Sequence, residues 1–334
     1  MVSAVIFVAT SCVSPLTGFA FWETNLAYEG ESIYNYLQVK NLSDRTILFT
    51  NVLFGVQSVT MKDKGLTGMY YDTALAAPAL ADNANSALIL GMGTGTYARQ
   101  LKQYYPKMNI TGVEIDQKIT DLAGEYFDEP ADIPVTTYDG RAWLAASHDK
   151  YDMIMVDAYQ DITIPFQMSS TEFFTMVREH LNPGGVMVVN MNMISDGQGS
   201  INEALSDTIA SVFGNGNTLT ADVPNTTNRE LFAKKPGSGS EENSMQQASK
   251  ALNLRETTYE RTGSEDLEWY MEEVASRFRK VNEPDSASTI LTDDKAPVEV
   301  LGMHAIDQII ADEAGPYRQI LKDEGFGGLL RAVQ

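Results

Sequence analysis

Between residues 86 and 193 the apolar positions come in short runs that alternate with stretches of helical periodicity. SALILGMG (86–93) is a buried strand entering a glycine turn, YARQLKQYY (97–105) a helix stopped by Pro106, and NITGVEID (109–116) a second strand. In QKITDLAGEYF (117–127) the residues Ile119, Leu122, Ala123, Tyr126 and Phe127 share one helical face, and YDMIMVDAY (151–159) is a third buried strand. Ser169 and Glu172 have capping-box spacing at the head of a helix through His180. NPGG (182–185) ends that helix before the strand VMVVNMNM (186–193). Strand–helix alternation over this length predicts an α/β fold with a mostly parallel, doubly wound sheet.

On the N-terminal side the period changes to two. YNYLQVKN, RTILFTN and GVQSVTM, separated by Asn41, Asp44, Asn51 and Gly55, predict a small antiparallel β-meander, with a helix from Tyr70 to Leu80 leading into the main domain. Beyond residue 200, INEALSDTIASVF predicts a helix, RELFAKK a strand and PGSGSEENS (236–244) a flexible loop. The last ninety residues read as helical apart from LTDDKAPVE (291–299). The expected organisation is an uncharged segment over 1–22, a β-meander over 23–68, and a Rossmann-like domain over 69–334 with a helical C-terminal part.

Composition narrows the function. The 334 residues are 43% hydrophobic, enough for a substantial core, and the net charge of −21 repels phosphate backbones, so nucleic acid is not an expected partner. One cysteine, Cys12, excludes an internal disulfide. His148, His180 and His304 lack metal-ligand spacing, so no metal is expected. Residues 1–22 carry no charge and are long enough to cross a bilayer, yet they are diluted by Ser, Thr, Gly and Pro15 and lack a basic flank. A membrane helix and a buried segment of a globular domain both fit that pattern.

The chemistry concentrates at three loops. Gly91-Met92-Gly93-Thr94-Gly95 joins a buried strand directly to a helix, where glycines permit a tight turn and let a ligand approach the backbone and the helix N-terminus. Glu114 ends the next strand about twenty residues on, where a carboxylate can accept both ribose hydroxyls. Asp139-Gly140 follows PVTTYD and suits an adenine amino group, although Asp-Gly is also an ordinary turn. Asp157 closes YDMIMVD at the same sheet edge; it can hold an amine and accept its proton, or simply cap the next element. Three loops in this order fit an S-adenosylmethionine-binding fold better than a nicotinamide one.

With these motifs in place, residues 29–193, with an echo at 291–299, resemble the spermidine synthase (polyamine aminopropyltransferase) family. Glu31-Ser32-Ile33-Tyr34-Asn35 looks like the family's Glu-Ser-Pro-Tyr-Gln, Gln57-Ser58 like its Gln-Ser, and Tyr71-Asp72-Thr73 like its gate segment. The resemblance implies a Rossmann-like S-adenosylmethionine-dependent transferase fold with a small N-terminal antiparallel β-domain. It implies a donor held by Gln57, Gly91, Gly93, Thr94, Gly95, Glu114, Asp139 and Gly140, a general base at Asp157, and an amine bound by Asn35, Tyr71, Asp72, Tyr159 and Asp161.

Two departures stand out. The family's Gly-Gly-Gly-Asp-Gly has Thr94 in place of the acid that holds the donor's amine. Its paired acids three apart have become Asp157-Ala-Tyr-Gln-Asp161. In these respects the chain is similar to spermidine-synthase-like proteins associated with membrane segments. The implied co-substrate is decarboxylated S-adenosylmethionine or S-adenosylmethionine, and the implied acceptor a small amine. The implied assembly is a homodimer or homotetramer, cytoplasmic, with tethering to the cytoplasmic membrane face through the N-terminus left open. A methyltransferase using the intact donor and a non-catalytic nucleoside sensor are the alternatives on the same fold.

Overall fold

The computed structural model describes residues 23–51, 56–63, 65–159, 164–192, 199–237, 253–303 and 322. The expectations for residues 1–22, for Asp161 and for most of the 236–244 loop lie outside the described residues. Strands β1 (Leu26–Glu31), β2 (Tyr36–Asn41), β3 (Arg45–Thr50) and β4 (Val56–Met61) form an antiparallel sheet in that order. Alternation along β2 and β3 turns Leu37, Val39 and Leu48 inward, where they meet Ile119, Leu122 and Phe127 from the main domain.

In the main domain the chain runs α1 (Tyr70–Ala74), α2 (Ala76–Leu80), β5 (Ser86–Leu90), α3 (Thr96–Tyr104), β6 (Asn109–Glu114), α4 (Gln117–Tyr126), β7 (Val135–Thr137), α5 (Gly140–Ala146), β8 (Tyr151–Val156), α6 (Thr171–His180) and β9 (Leu181–Met191). It continues through α7 (Ile201–Phe213), β10 (Thr218–Asp222), β11 (Arg229–Lys234), α8 (Leu254–Thr262), α9 (Glu265–Arg277) and β12 (Phe278–Lys280). The eight strands order as β12-β10-β11-β9-β8-β5-β6-β7. Strands β7, β6, β5, β8 and β9 are parallel, and β11, β10 and β12 add on antiparallel. Buried side chains cover both faces, with Ile89, Met155, Val188 and Phe232 on one side and Leu90, Val156, Val189 and Leu231 on the other. That two-sided burial is why the central strands read as continuous apolar runs.

The structure departs from the sequence reading at four places. The cap of α6 is Ser170, which accepts from the Phe173 N–H, and not Ser169, whose hydroxyl donates to the Phe166 carbonyl. The helix predicted over 70–80 is two short helices meeting at Leu75. Pro78 has no N–H to give the Ala74 carbonyl, and that carbonyl instead accepts the Tyr97 hydroxyl at 2.9 Å. NPGG does not precede a strand but lies within β9, which begins at Leu181 opposite Tyr151 and shifts register before Val186 pairs with Met153. β10 and β12, too short for a periodicity to register, complete the antiparallel edge. Among the described residues no helix is long and apolar enough to cross a membrane.

Candidate active site

The carboxyl ends of β5, β6 and β8 open onto one cavity, closed on its far side by the first sheet. Ten of the residues singled out from the sequence line it: Asn35, Gln57, Tyr71, Gly91, Gly93, Glu114, Asp139, Gly140, Asp157 and Tyr159. The parallel sheet brings them together because each strand of such a sheet ends at the same edge.

The glycine turn is set by close approach. Gly91 sits at φ +87°, and a Cβ there would lie 2.4 Å from the carbonyl oxygen of Asp157, so only glycine fits between the two strand ends. The Gly93 N–H donates to Glu114 Oε2 at 2.7 Å and the Asp116 N–H to Oε1 at 3.0 Å, which fixes the carboxylate against the turn. Burial raises the Glu114 pKa; the backbone donors oppose that shift. Asp116 in turn is tied to the first sheet, accepting from Ser32 Oγ at 2.6 Å and Asn35 Nδ2 at 3.1 Å. The β1–β2 hairpin is thereby pinned over Glu114, and Asn35 acts as a brace as well as a cavity wall. Asp139 caps α5, accepting from the Ala142 N–H through Oδ1 at 2.8 Å, so it serves as cap and cavity residue together.

Asp157 is the most perturbed acid of the cavity. Its backbone N–H donates to the Leu90 carbonyl, continuing the β5–β8 ladder, while Oδ2 accepts from the Tyr70 hydroxyl at 2.6 Å and Oδ1 from Asn190 Nδ2 at 2.9 Å. Burial pushes its pKa to about 7, against the two donors, which lower it, and with the Glu114 charge adding to the rise. A carboxyl whose pKa lies near neutrality inside such a cavity can exchange a proton with a bound group at ordinary pH. Tyr159 keeps its ring on the cavity while its hydroxyl donates to the Asn190 carbonyl and accepts the Asn192 N–H at 3.2 Å.

Three expected residues stand elsewhere. Asp72 is 1% exposed, and its carboxylate is taken up by the Thr67 and Gly68 N–H groups, the Thr67 hydroxyl and Gln100 Nε2. It ties the approach to α1 rather than facing a substrate. Thr94 is buried against Thr96, whose own hydroxyl donates to the Val59 carbonyl of β4. Gly95 adopts a left-handed conformation at the N-cap of α3, with its Cα backing onto Glu129. Conversely, Tyr70 and Asn190, which grip Asp157, were not anticipated. Asn190 does sit near the carboxyl end of a buried strand, a signal that marks ligand-edge residues. Tyr70 is adjacent to Tyr71, and only the packed helix decides which of the two rings reaches the acid. Among the described residues no metal-binding cluster occurs.

A parallel sheet with a glycine turn, a strand-end acid and a further acidic loop on one edge defines the Rossmann-like fold of S-adenosylmethionine-dependent transferases. The spermine/spermidine synthase domain matches residues 69–235, half of the chain. Over all 334 residues the chain is 99% identical to a probable polyamine aminopropyl transferase of Bifidobacterium longum, of which it spans 75%. It is 27% identical over 209 residues to a polyamine aminopropyltransferase of Vibrio vulnificus, covering 60% of this chain and 69% of that one. Among solved structures, a probable spermidine synthase from Corynebacterium glutamicum superposes with TM-score 0.56 at 20% identity, covering 78% of this chain and 98% of that one. A spermidine synthase in complex with the transition-state analogue AdoDATO gives 0.55 at 19%, covering 78% and 85%. The chain belongs to the spermine/spermidine synthase family.

Proposed function

We propose that this chain is a polyamine aminopropyltransferase: it takes decarboxylated S-adenosylmethionine as donor and a small amine as acceptor, with Asp157 as general base. The observation that carries the reading is the placement of Asp157, a buried carboxyl of pKa about 7, on the same cavity as the glycine turn, Glu114 and Asp139. The family and the near-identical relative's name support it.

In this reading Glu114 accepts the ribose hydroxyls, and Asp139 with the exposed ring of Tyr138 frames the adenine. The donor's aminopropyl chain then points toward Asp157. The acceptor nitrogen attacks the methylene carbon next to the sulfonium. A C–N bond forms, the C–S bond breaks with its electron pair going to sulfur, and methylthioadenosine leaves. The nitrogen's proton passes to Asp157. The positive sulfur supplies the driving force, so the protein's task is alignment and proton acceptance. Tyr70 and Asn190 hold both oxygens of Asp157 and steady it as the charged base.

One observation favours a second reading. Position 94 is a threonine, and a buried one, so it gives no acid to hold the amine of a decarboxylated donor. A user of the intact donor needs none. Mass spectrometry of the nucleoside product decides between the two. Incubation with each donor and a mixture of small diamines and polyamines should yield methylthioadenosine and an aminopropylated amine. S-adenosylhomocysteine from the intact donor would overturn the aminopropyl reading, and no product with intact nucleoside binding would leave a sensor.

A further inference from the structure

Behind the wall of the cavity lies a carboxyl that the reaction above does not use. Glu230 is on β11 and wholly buried, and neither of its carboxylate oxygens has a hydrogen-bond partner among the described residues. Its location follows from register. Val156 of β8 pairs with Val189 of β9, so the next positions, Asp157 and Asn190, stand side by side, as their 2.9 Å hydrogen bond confirms. Asn190 pairs with Glu230. Asp157, Asn190 and Glu230 therefore form a row at one level across three neighbouring strands, the two acids about 10 Å apart at the backbone. Opposed residues of an antiparallel pair point to the same face, so Glu230 points to the side that carries the Asn190 amide and the Asp157 carboxylate. Asn228, also on that face, donates to Asn190 Oδ1 at 2.9 Å.

A buried carboxyl without donor or counter-charge is costly, and cores retain such groups where something pairs with them. Burial first, and then the like charge of Asp157, raises the Glu230 pKa well above the usual carboxylate range. Tyr97 and Tyr159, which line the cavity, both feel the charge of Glu230, so its carboxyl lies within electrostatic reach of the cavity wall.

Resting on the aminopropyl-transfer reading, we propose that Glu230 is the acid that receives the second, non-reacting ammonium of an α,ω-diamine acceptor. The first nitrogen lies at Asp157 and the carbon chain crosses Asn190. This supplies from β11 the second amine-binding acid that the loop after Asp157 does not offer at the family's spacing, and it makes Glu230 a specificity-determining residue. The site then selects a diamine over a monoamine of the same length.

The test is calorimetric titration of the full chain, saturated with methylthioadenosine, with 1,4-diaminobutane and with 1-aminobutane. The unsubstituted chain should bind the diamine about tenfold or more tightly, the effect of one charge-assisted hydrogen bond. In Glu230→Gln the diamine should fall to the level of the monoamine, while the monoamine affinity holds. In turnover, KM for the diamine should rise with kcat within about twofold. Equal weakening of both amines, or no change in either, would overturn the proposal. So would equal affinity for the two amines in the unsubstituted chain, a measurement that needs no variant to fold. Failure to transfer an aminopropyl group would remove the reading of the reaction, whereas the diamine–monoamine contrast is read from binding alone.

Discussion

The Tyr70 hydroxyl donates to Oδ2 of Asp157 at 2.6 Å, joining a helix that precedes the sheet to the end of its central strand. This hydrogen bond favours the ionised carboxylate against the burial that pushes its pKa to about 7. Removing the donor should therefore raise that pKa further. In Tyr70→Phe the acidic limb of the kcat profile, expected near pH 7, should move to higher pH. Turnover at pH 7 should fall by about tenfold and be partly recovered at pH 8.5. A profile of unchanged midpoint, scaled down at every pH, would mean that Tyr70 acts only through packing.

Asp157→Asn separates chemistry from binding and from stability. Turnover should fall by about 10²–10⁴-fold with nucleoside affinity nearly unchanged. Stability should move the other way. The Asp157 pKa is raised from 3.8 unfolded to about 7 folded, so the native chain holds a proton that the unfolded chain has lost between those values. The parent consequently loses stability as pH rises from about 4 to about 7, and stays at the lower level above that. The variant lacks this decline. Its Tm relative to the parent should rise across the same window, which thermal unfolding at pH 5 and pH 8 would reveal. A difference that stays constant, or shrinks toward pH 8, would show that Asp157 does not carry a buried charge.

Glu114 is held by the Gly93 and Asp116 N–H groups and is 7% exposed. Glu114→Ala removes the acceptor proposed for the ribose and also leaves those two donors facing the cavity. Nucleoside binding should weaken by roughly 1.5–3 kcal/mol, the loss of charge-assisted hydrogen bonds. Calorimetry with methylthioadenosine measures it, and an unchanged affinity would remove the ribose assignment.

How much of this site the chain announces in one dimension depends on what fixes each residue. Glu114 and Asp157 could be read because each ends an apolar run, and the edge of a parallel sheet follows from the run itself. Gly91 and Gly93 were legible because the turn admits only glycine. Asp72 misled because motif spacing alone placed it at the gate, whereas the burial of α1 turns its carboxylate toward Thr67, Gly68 and Gln100. Thr94 and Gly95 lie in the right motif but face α3 and Glu129, not the cavity. Tyr70, Asn190 and Glu230 become neighbours of Asp157 only through helix packing and the β8–β9–β11 register. That register joins segments from about 156 to 230, and no local pattern encodes it. The antiparallel edge was half visible, in RELFAKK, because β10 and β12 are short and flanked by polar residues.

LTDDKAPVE, which the sequence offered only as a family-like closing motif, has a structural reason that leads to a further expectation. Asp293 accepts both terminal nitrogens of Arg141, at 2.7 and 2.6 Å, together with the Ser170 hydroxyl at 2.5 Å. Arg141 Nη1 also donates to the Gln167 carbonyl at 2.7 Å. One carboxylate thus clamps α5, whose N-cap is Asp139, to the start of α6 and to the segment that carries Gln167 on the cavity wall. The pair is partly exposed, with Asp293 40% open at its side chain, so solvent screening discounts its worth, while bidentate geometry favours it. Asp293→Ala should therefore cost about 1 kcal/mol of stability, a small shift in Tm. The larger effect should be on the cavity, because α5 loses the tether that sets the height of Asp139. Nucleoside affinity should drop several-fold while the Asp157-dependent pH limb of kcat keeps its midpoint near 7. A loss of stability without a loss of affinity would mean that the clamp braces the C-terminal segment alone.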